Sequence, residues 1–328
     1  MPKIEAGSYY TYLPEGCRIC RKGSKLVLFI TGECRKSCFY CPISLKRRGF
    51  DVIYANERPI KSMEDFIAEA EAMSAEGLAI TGGEPLLKLK RVFEFLDVAK
   101  KMDLHVHIYT SIAVKESLLR KLKVDEIRFH PPELKNIENF RDSILAAKKL
   151  GIDSGFEIPA IYFDRKIVEI VNELDAFLNV NQLEVSESNY KAISSLYTVK
   201  DYYVENPEVI KAYEEAKKFH YCSAKFKDVA QFRRRLIRMG MNMPEFYLVT
   251  SDGTVLCARI DGDVGKLRKA EKILQERGFE YIKFENFIET SVEIVEKIGE
   301  LLKAEKLKVY LVERYPTYDA TLVESVEI

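Results

Sequence analysis

The sequence predicts an α/β fold built on parallel strands, followed by a smaller α+β extension. From residue 26 onward, short β-rich runs alternate with segments whose apolar residues recur at a helical period. This alternation is typical of consecutive β-α-β units, whose strands pair in parallel through right-handed crossovers. Past residue 187 the alternation stops, and Asp252-Gly253 between two β-rich runs predicts an antiparallel hairpin.

The predicted elements of the parallel part come in a regular order. Strands are expected at 26–31, 77–81, 104–110, 125–129, 152–158 and 181–186. The intervening helices are expected from residue 62 and at 88–102, 115–122, 136–150 and 164–178. The predicted organisation is therefore a lead-in over 1–25, a main domain over 26–190 and an extension over 191–328.

Beyond residue 190, regular elements are expected again after an irregular aromatic stretch. The expected elements are a helix at 207–219, a basic helix to about residue 238, the hairpin strands at 246–250 and 255–259, helices at 266–277 and 287–304, and strands at 279–283 and 306–313.

Length, charge and cysteine content limit the classes of protein to consider. The 328 residues suffice for one large core or a core with a smaller domain, and 51 basic residues balance 51 acidic ones. No stretch approaches the roughly 20 apolar residues of a membrane helix, and residues 1–12 lack a signal-peptide core, so we expect a cytoplasmic protein. Seven cysteines then indicate metal ligands, although a Trp-free, charge-rich composition typical of thermophiles leaves disulfides open.

Three cysteines follow the first predicted strand in the spacing C-x3-C-x2-C. Cys34, Cys38 and Cys41 can supply three thiolates to a [4Fe-4S] cluster, which leaves its fourth iron free for a small molecule. The alternatives are a zinc knuckle and ordinary buried thiols. A closed zinc site takes four ligands, and no fourth Cys or His follows within the loop.

A second motif, Gly82-Gly83-Glu84, ends the next predicted strand. Glycines at this position allow the backbone to approach a ligand closely, and Glu84 offers an anionic acceptor for an ammonium group. An ordinary strand-to-helix turn is the alternative. Because the carboxyl ends of parallel strands meet at one edge, this turn and the cysteine loop are expected to lie together.

The two motifs together, with Tyr40 before the last cysteine, resemble the signature of the radical S-adenosylmethionine (radical SAM) superfamily. The chain looks most like archaeal-type proteins related to pyruvate formate-lyase activating enzyme. The resemblance implies a partial (β/α)6 TIM-like barrel. It also implies an external electron donor and a [4Fe-4S] cluster that cleaves SAM to a 5′-deoxyadenosyl radical.

The resemblance also implies the cofactor-binding residues. The cluster ligands are Cys34, Cys38 and Cys41, and the expected SAM contacts are Tyr40, Gly82, Gly83, Glu84, Thr110, Ser111 and Ile158. Thr110 or Ser111 would hold the ribose or carboxylate, with a solvated strand end as the alternative, and Ile158 would pack on adenine. Arg128 and His130 end the fourth strand, where a histidine serves as a proton carrier, a carboxylate ligand or a structural residue. No residue is assigned to the chemistry on the substrate.

Four cysteines remain outside the loop, namely Cys17, Cys20, Cys222 and Cys257. Four thiolates are what one tetrahedral site requires, so they form a candidate second metal site. An auxiliary [4Fe-4S] cluster, a rubredoxin-like iron and a structural zinc stay open, as do buried thiols or a disulfide. Relatives with SPASM or twitch extensions carry auxiliary clusters, but on denser C-terminal cysteine patterns than this one.

A basic segment between residues 217 and 238 indicates which class of substrate the protein binds. It carries eight Lys or Arg residues against one Asp, which favours RNA or another anionic macromolecule, and a solvated face is the alternative. Lys46-Arg47-Arg48 would extend this surface. Competing hypotheses are radical modification or activation of a protein, peptide or lipid, and a zinc-stabilised binding module without catalysis.

Overall fold

The computed structural model describes residues 5–328, which form two compact units. The first unit extends to Glu71 and resumes over Ala75–Phe232; the second combines Ala72–Ser74 with Arg233–Ile328. The main boundary thus lies near residue 232 instead of 190, and the described part of the expected lead-in belongs to the first unit.

Thirteen strands and nine α-helices precede residue 228 in the described chain. The strands are β1 (Tyr9–Tyr10), β2 (Lys25–Phe29), β3 (Tyr54–Ala55), β4 (Arg58–Pro59), β5 (Gly77–Thr81), β6 (His105–Thr110), β7 (Glu126–Phe129), β8 (Asp153–Pro159), β9 (Phe177–Asn181), β10 (Leu183–Glu184), β11 (Val199–Lys200), β12 (Tyr203–Val204) and β13 (Phe219–Cys222). The helices are α1 (Glu15–Arg21), α2 (Met63–Ala72), α3 (Leu89–Lys101), α4 (Glu116–Leu122), α5 (Arg141–Lys149), α6 (Arg165–Leu174), α7 (Tyr190–Ser194), α8 (Pro207–Tyr213) and α9 (Ala224–Lys227).

The first unit is organised on a mixed α/β sheet of ten strands, in the order β1-β13-β9-β8-β7-β6-β5-β2-β3-β4. Its seven central strands, from β13 to β2, all run parallel, as the alternation of strands and helices predicts. The described strands at its two ends, β1 and β4, do not pair with each other. Closure into a partial barrel therefore stays a prediction.

Two strands differ from the sequence expectation. The sixth parallel strand lies at 177–181 instead of 181–186, because α6 already ends at Leu174, where Asp175 adopts the left-handed conformation. A seventh parallel strand, β13, covers residues 219–222, where the sequence predicts no strand. The lead-in is also more regular than expected, since it contains β1 and α1.

Helix α6 shows how local sequence sets these elements. Asp164 caps its amino terminus by accepting a hydrogen bond from the Lys166 amide at 2.9 Å. Its apolar residues recur at positions 167, 168, 170, 171 and 174, all buried, so one face of the helix packs on β8 and β9.

The two faces of the parallel sheet have opposite character. Leu26, Ile80, Ile127 and Phe156 lie on the apolar face and are buried. The residues in alternate positions on the same strands point to the other face, which we call the polar face. Its members include Lys25, Thr81, His107, Tyr109, Glu126, Arg128, Glu157, Asn179, Asn181, His220 and Cys222.

The second unit contains α10 (Arg234–Met241), β14 (Leu248–Val249), β15 (Val255–Asp261), α11 (Val264–Glu276), β16 (Tyr281–Lys283), β17 (Phe287–Thr290), α12 (Ile294–Ala304), β18 (Lys308–Arg314) and β19 (Leu322–Glu327). Its sheet is antiparallel, with β15 between β17 and β18. The predicted hairpin is confirmed: β14 pairs with β15, and Gly253 in the turn has φ +88°.

The expected helix at 287–304 is instead strand β17 followed by α12. The expected basic helix is also not continuous, because β13, α9, a π-helical turn over Asp228–Arg233 and α10 divide it. Among the described helices, none is both long enough and apolar enough to cross a membrane.

Candidate active site

The cysteine loop leaves the carboxyl end of β2 and borders a cavity of about 460 Å³. Cys34 is exposed, whereas Cys38 and Cys41 are half-buried. All three line this cavity, with Cys41 held to Cys38 by a backbone hydrogen bond of 3.2 Å. Burial raises the pKa of the Cys34 and Cys38 thiols.

The Gly82-Gly83 turn packs directly on the backbone that leads into the cysteine loop. The Gly83 amide donates to the Thr31 carbonyl at 2.7 Å. A Cβ on Gly82 would lie 2.4 Å from that same oxygen, and one on Gly83 would lie 2.2 Å from the Glu33 carbonyl. Gly82 also has φ +140°, so only glycine fits here without strain. Both glycines line the cavity, but their small size is also needed for contact between the two motifs.

Glu84 is buried beneath this turn, and its carboxylate is already engaged. It accepts hydrogen bonds from Thr110 Oγ1 at 2.8 Å, from the Ser111 amide at 2.8 Å, from Ser111 Oγ at 2.6 Å and from the Leu86 amide at 3.1 Å. Four donors match the acceptor capacity of a carboxylate. In this conformation Glu84 therefore positions Thr110 and Ser111, which line the cavity.

Tyr40 and His130 form the opposite wall of the cavity. The Tyr40 hydroxyl lies 3.0 Å from His130 Nε2 and accepts a 2.8 Å hydrogen bond from the Glu133 amide. His130 Nδ1 lies 3.0 Å from the Glu157 carbonyl oxygen, and burial lowers the pKa of His130. A neutral imidazole that links the cysteine loop to β8 is thus a structural element of the wall. Ile158, expected near adenine, is buried and also lines the cavity.

A buried charge network on the polar face continues from this cavity. Arg128 donates to Glu126, to Glu157 at 2.6 Å and to the Tyr109 hydroxyl at 3.1 Å. Burial would raise the pKa of Glu157, but Arg128 and hydrogen bonds from Asn181 and Asn179 outweigh burial and hold it at about 2. Glu157 is therefore a fixed carboxylate between two strands.

Comparisons with known proteins agree with these motifs. The family model "Radical SAM superfamily" matches residues 28–130. The chain is 37% identical, over 96% of its length and 93% of the relative, to "Putative glycyl-radical enzyme activating enzyme MJ0021" of Methanocaldococcus jannaschii.

The chain belongs to the radical SAM superfamily. It is accordingly an enzyme of the class that uses a [4Fe-4S] cluster and SAM. A second model, "Domain of unknown function (DUF8061)", matches residues 253–328 within the second unit.

Solved structures similar to this chain include two of Streptococcus suis SuiB. The complex with precursor peptide SuiA is 17% identical with TM-score 0.37, covering 52% of this chain and 43% of that chain. The complex with S-adenosylmethionine is 16% identical with TM-score 0.40, covering 61% and 50%. This chain thus matches about half the length of those proteins.

The cavity suits the radical SAM cofactors in size and in donor set. A volume of about 460 Å³ falls within the usual range of small-molecule sites, roughly 300–1,000 Å³. Three thiols border it, and of the expected SAM contacts only Glu84 is not among the residues that line it. As the side chains stand, no three His, Cys, Asp or Glu of residues 5–328 converge on a single metal ion, the loop cysteines included.

The other four cysteines are divided between the two units. Cys17 and Cys20 on α1 and Cys222 on β13 belong to one buried cluster of the first unit. They border a second cavity of about 230 Å³, which shares six lining residues with the first, including Glu157 and Lys227. Cys257 is buried within the second unit, among Tyr247, Val255 and Val312. The structure thus groups three of these four cysteines and places Cys257 in a separate core. All seven cysteines are free thiols.

Residues of the basic segment are divided between the two units, and several are paired or buried. Lys227 lies in the wall of both cavities and pairs with Glu184, and Lys218 pairs with Asp175 at 2.8 Å. Arg235 is only 4% exposed. Near the cysteine loop, Arg47 stacks on the Tyr54 ring at 3.9 Å, while Arg48 lines the cavity.

Several residues of the polar face were not identified from the sequence, although the pattern of polar residues along the strands indicates them. Parallel strands buried on both faces usually read as continuous apolar runs. Here polar residues recur at every second position, as in His105-x-His107-x-Tyr109, Glu126-x-Arg128 and His220-x-Cys222. That period indicates one polar face and would have identified Glu157, Asn179 and His220 as candidates.

Proposed function

We propose that this radical SAM enzyme removes a hydrogen atom from a polypeptide substrate bound over the cysteine loop, in the manner of an activating enzyme. Cys34, Cys38 and Cys41 would hold the [4Fe-4S] cluster, which with SAM and an external electron donor would supply the chemistry of a 5′-deoxyadenosyl radical. The name of the 37% identical relative supports a protein substrate. The observation that carries the proposal is a set of exposed apolar side chains, here called the rim, on segments that follow the carboxyl ends of the parallel strands.

The rim consists of large apolar side chains on segments that follow the carboxyl ends of the parallel strands. They are Leu45, Phe50, Ile112, Tyr162, Tyr190, Leu196 and Tyr202, each between 38% and 63% exposed. Ile112 follows Ser111 directly, and the Leu45 amide donates to Glu187 at 3.4 Å, so the segments meet at the same edge. Large apolar residues exposed on adjoining segments are typical of a surface that another protein covers.

The protein's own residues organise the site beneath this rim. Glu84 fixes Thr110 and Ser111, Tyr40 and His130 form a rigid wall, and the Gly82-Gly83 turn fastens this edge to the cysteine loop. A covering polypeptide would complete the enclosure and exclude water, which protects a reactive radical from side reactions.

The proposal includes a partial barrel around the site. Lys25 on β2 and Cys222 on β13 line the same 230 Å³ cavity, although six strand spacings separate them in the sheet. In a flat sheet six spacings of about 4.8 Å would separate them by roughly 29 Å. Strong curvature of the sheet around its polar face accounts for the shared cavity.

A polypeptide is preferred here over RNA because the basic segment is divided between the two units and partly buried, whereas exposed apolar side chains follow the strand ends that border the site. The proposal also places the enzyme in the cytoplasm, since seven free thiols suit a reducing compartment.

The test uses anaerobically reconstituted enzyme with dithionite, SAM and a cell extract of the native host. Formation of 5′-deoxyadenosine is measured after the extract has been treated with protease, with nuclease, or passed through a small-pore filter. We expect stimulation that survives nuclease, disappears with protease and is absent from the filtrate. Stimulation that nuclease abolishes, or that the filtrate retains, would overturn the polypeptide proposal.

A substitution in the rim and a control substitution outside it test where the polypeptide binds. Leu196→Asp should reduce the stimulation by the extract at least tenfold, because a carboxylate would be buried beneath the polypeptide. Leu145→Asp is the control, since Leu145 is 37% exposed on α5, away from the rim. Equal stimulation of the two variants would contradict docking on the rim.

A further inference from the structure

We propose that Cys17, Cys20, Cys222 and His220 hold a second [4Fe-4S] cluster, in the 230 Å³ cavity beside the active site. His220 thus takes the place of Cys257 in the set of four ligands that the sequence predicts. It concerns metal binding alone and does not depend on the nature of the substrate.

The four side chains line one cavity because of how their elements are spaced. Cys17 and Cys20 are three residues apart on α1, which puts both on one face of the helix. His220 and Cys222 are two residues apart on β13, which puts both on one face of the strand. All four line the same cavity. A helix and a distant strand thus each contribute two soft or borderline ligands.

His220 has no other role within the described residues. It is only 3% exposed, and neither ring nitrogen has a hydrogen-bond partner there. Buried polar atoms without partners are rare in folded proteins and call for an explanation. A bound iron would satisfy one nitrogen.

Lys25 is a second buried group that needs a partner. It is 8% exposed, lines the same cavity, and pairs with no carboxylate among residues 5–328. An ammonium group buried in this way is costly unless an anion compensates it. Thiolates on a cluster would supply that anion, and each cysteine would release its proton on binding.

Side chains that can donate hydrogen bonds to a metal-bound sulfur are also present. Arg128 Nη2 lies 3.3 Å from Cys17 Sγ, and Asn179 Nδ2 lies 3.7 Å from it. Groups of this kind around a ligand orient it and tune the metal. Glu126 and Glu157 hold the same arginine in place.

The size of the cavity favours a cluster over a single ion. Its volume of about 230 Å³ is several times the roughly 30 Å³ that a water molecule occupies. A closed zinc site would leave far less space between four touching ligands. The sulfurs here do not converge on one ion as they stand, which is equally so for the loop cysteines.

The test counts metal in a protein whose cysteine loop has been removed. We would purify and reconstitute the Cys34/Cys38/Cys41→Ala variant anaerobically, then measure iron, sulfide and zinc per chain together with the Mössbauer spectrum. We expect about four irons with the spectrum of a [4Fe-4S] cluster. Absence of iron, or one zinc per chain in its place, would overturn the proposal.

Further substitutions in that variant assign the ligands. Cys17→Ser, Cys20→Ser and Cys222→Ser should each reduce iron at least fourfold. His220→Ala should reduce it as well, and His220→Cys should restore it. Cys257→Ser is the matched control, because it removes a buried cysteine of the second unit and should leave the iron count unchanged.

Circular dichroism of each variant identifies any that fail to fold, and those are replaced by the corresponding Ala substitution. Iron that survives all the Ser substitutions, or that disappears with Cys257→Ser, would contradict the ligand set.

Discussion

The two cysteine groups of the first unit differ in how the chain brings them together. Cys34, Cys38 and Cys41 lie within one loop and reach the surface. Cys17, Cys20 and Cys222 are all buried, and about 200 residues separate the helix from the strand. The spacing of the loop cysteines in the sequence is enough to identify them as a group. The buried cysteines can be identified as a group only from the topology of the sheet.

This difference suits two different tasks. An open loop beside a 460 Å³ cavity leaves room for a small molecule at a metal, as radical SAM chemistry requires. The second group is buried beside Arg128, Lys25 and Asn179, and four protein ligands would leave no iron of a cluster open, which suits a centre that only carries electrons.

The largest expected effect is the loss of SAM cleavage when the loop cysteines are removed. The Cys34/Cys38/Cys41→Ala variant should lose all detectable 5′-deoxyadenosine formation, assayed by mass spectrometry with dithionite and SAM. Its metal-free form should unfold with a free energy within about 1 kcal/mol of the wild-type value, because these side chains are exposed or half-buried. Residual cleavage of SAM would show that the loop is not the cofactor site.

Arg128→Met should be the most destabilising single change near the buried cysteines. It leaves Glu126 and Glu157 buried without their cation, which costs roughly 3–5 kcal/mol. Urea unfolding of the metal-free protein measures the loss. Arg120→Ala is the control, because Arg120 pairs with Glu116 on the surface, where such a pair contributes about 0.3–0.5 kcal/mol. Similar losses for both variants would contradict the network.

The pH dependence of stability tests the carboxylate between the two cavities. The pKa of Glu157 is about 2, below its ordinary value of 4.5, so its contribution is fully present above pH 4.5. That contribution, on the order of 3 kcal/mol, should disappear as the pH falls through 2. Glu157→Gln should remove this part of the acid dependence in urea unfolding measured between pH 5 and 2. An identical acid profile for the variant would refute the assignment.

Glu84→Gln should have a smaller effect, which is confined to SAM binding beside the cysteine loop. The amide keeps one acceptor oxygen but turns its NH2 group toward donors, so the Ser111 or Thr110 contacts are lost at a cost of about 1–3 kcal/mol. The KM for SAM should rise about tenfold. When Glu84→Gln is added to the Cys34/Cys38/Cys41→Ala variant, the amount of bound metal should stay unchanged. A variant with normal KM would show that Glu84 does not position these hydroxyls.

The sequence was sufficient for the features that local chemistry determines. The cysteine loop, the Gly82-Gly83 turn and five of the parallel strands lie where their residues predict, since short-range pattern and spacing define them. Strand β13 escaped prediction because Phe219–Cys222 shows only a single alternation, His220 to Cys222, which is too short to indicate a strand without β9 beside it.

Long-range packing explains the remaining differences. Cys257 looked equivalent to Cys222 in the sequence, yet β15 buries it in the core of the second unit. Glu84 looked like a free acceptor, but the end of β6 supplies its donors. Neither outcome follows from neighbouring residues, because each depends on which strands meet.

The most direct measurement is the electron paramagnetic resonance spectrum of dithionite-reduced protein with and without SAM. It is recorded for the Cys17/Cys20/Cys222→Ser variant and for the Cys34/Cys38/Cys41→Ala variant. We predict that SAM alters the cluster signal of the first variant and leaves that of the second unchanged. A signal in the second variant that responds to SAM, or no signal there at all, would contradict the division between an open and a buried centre.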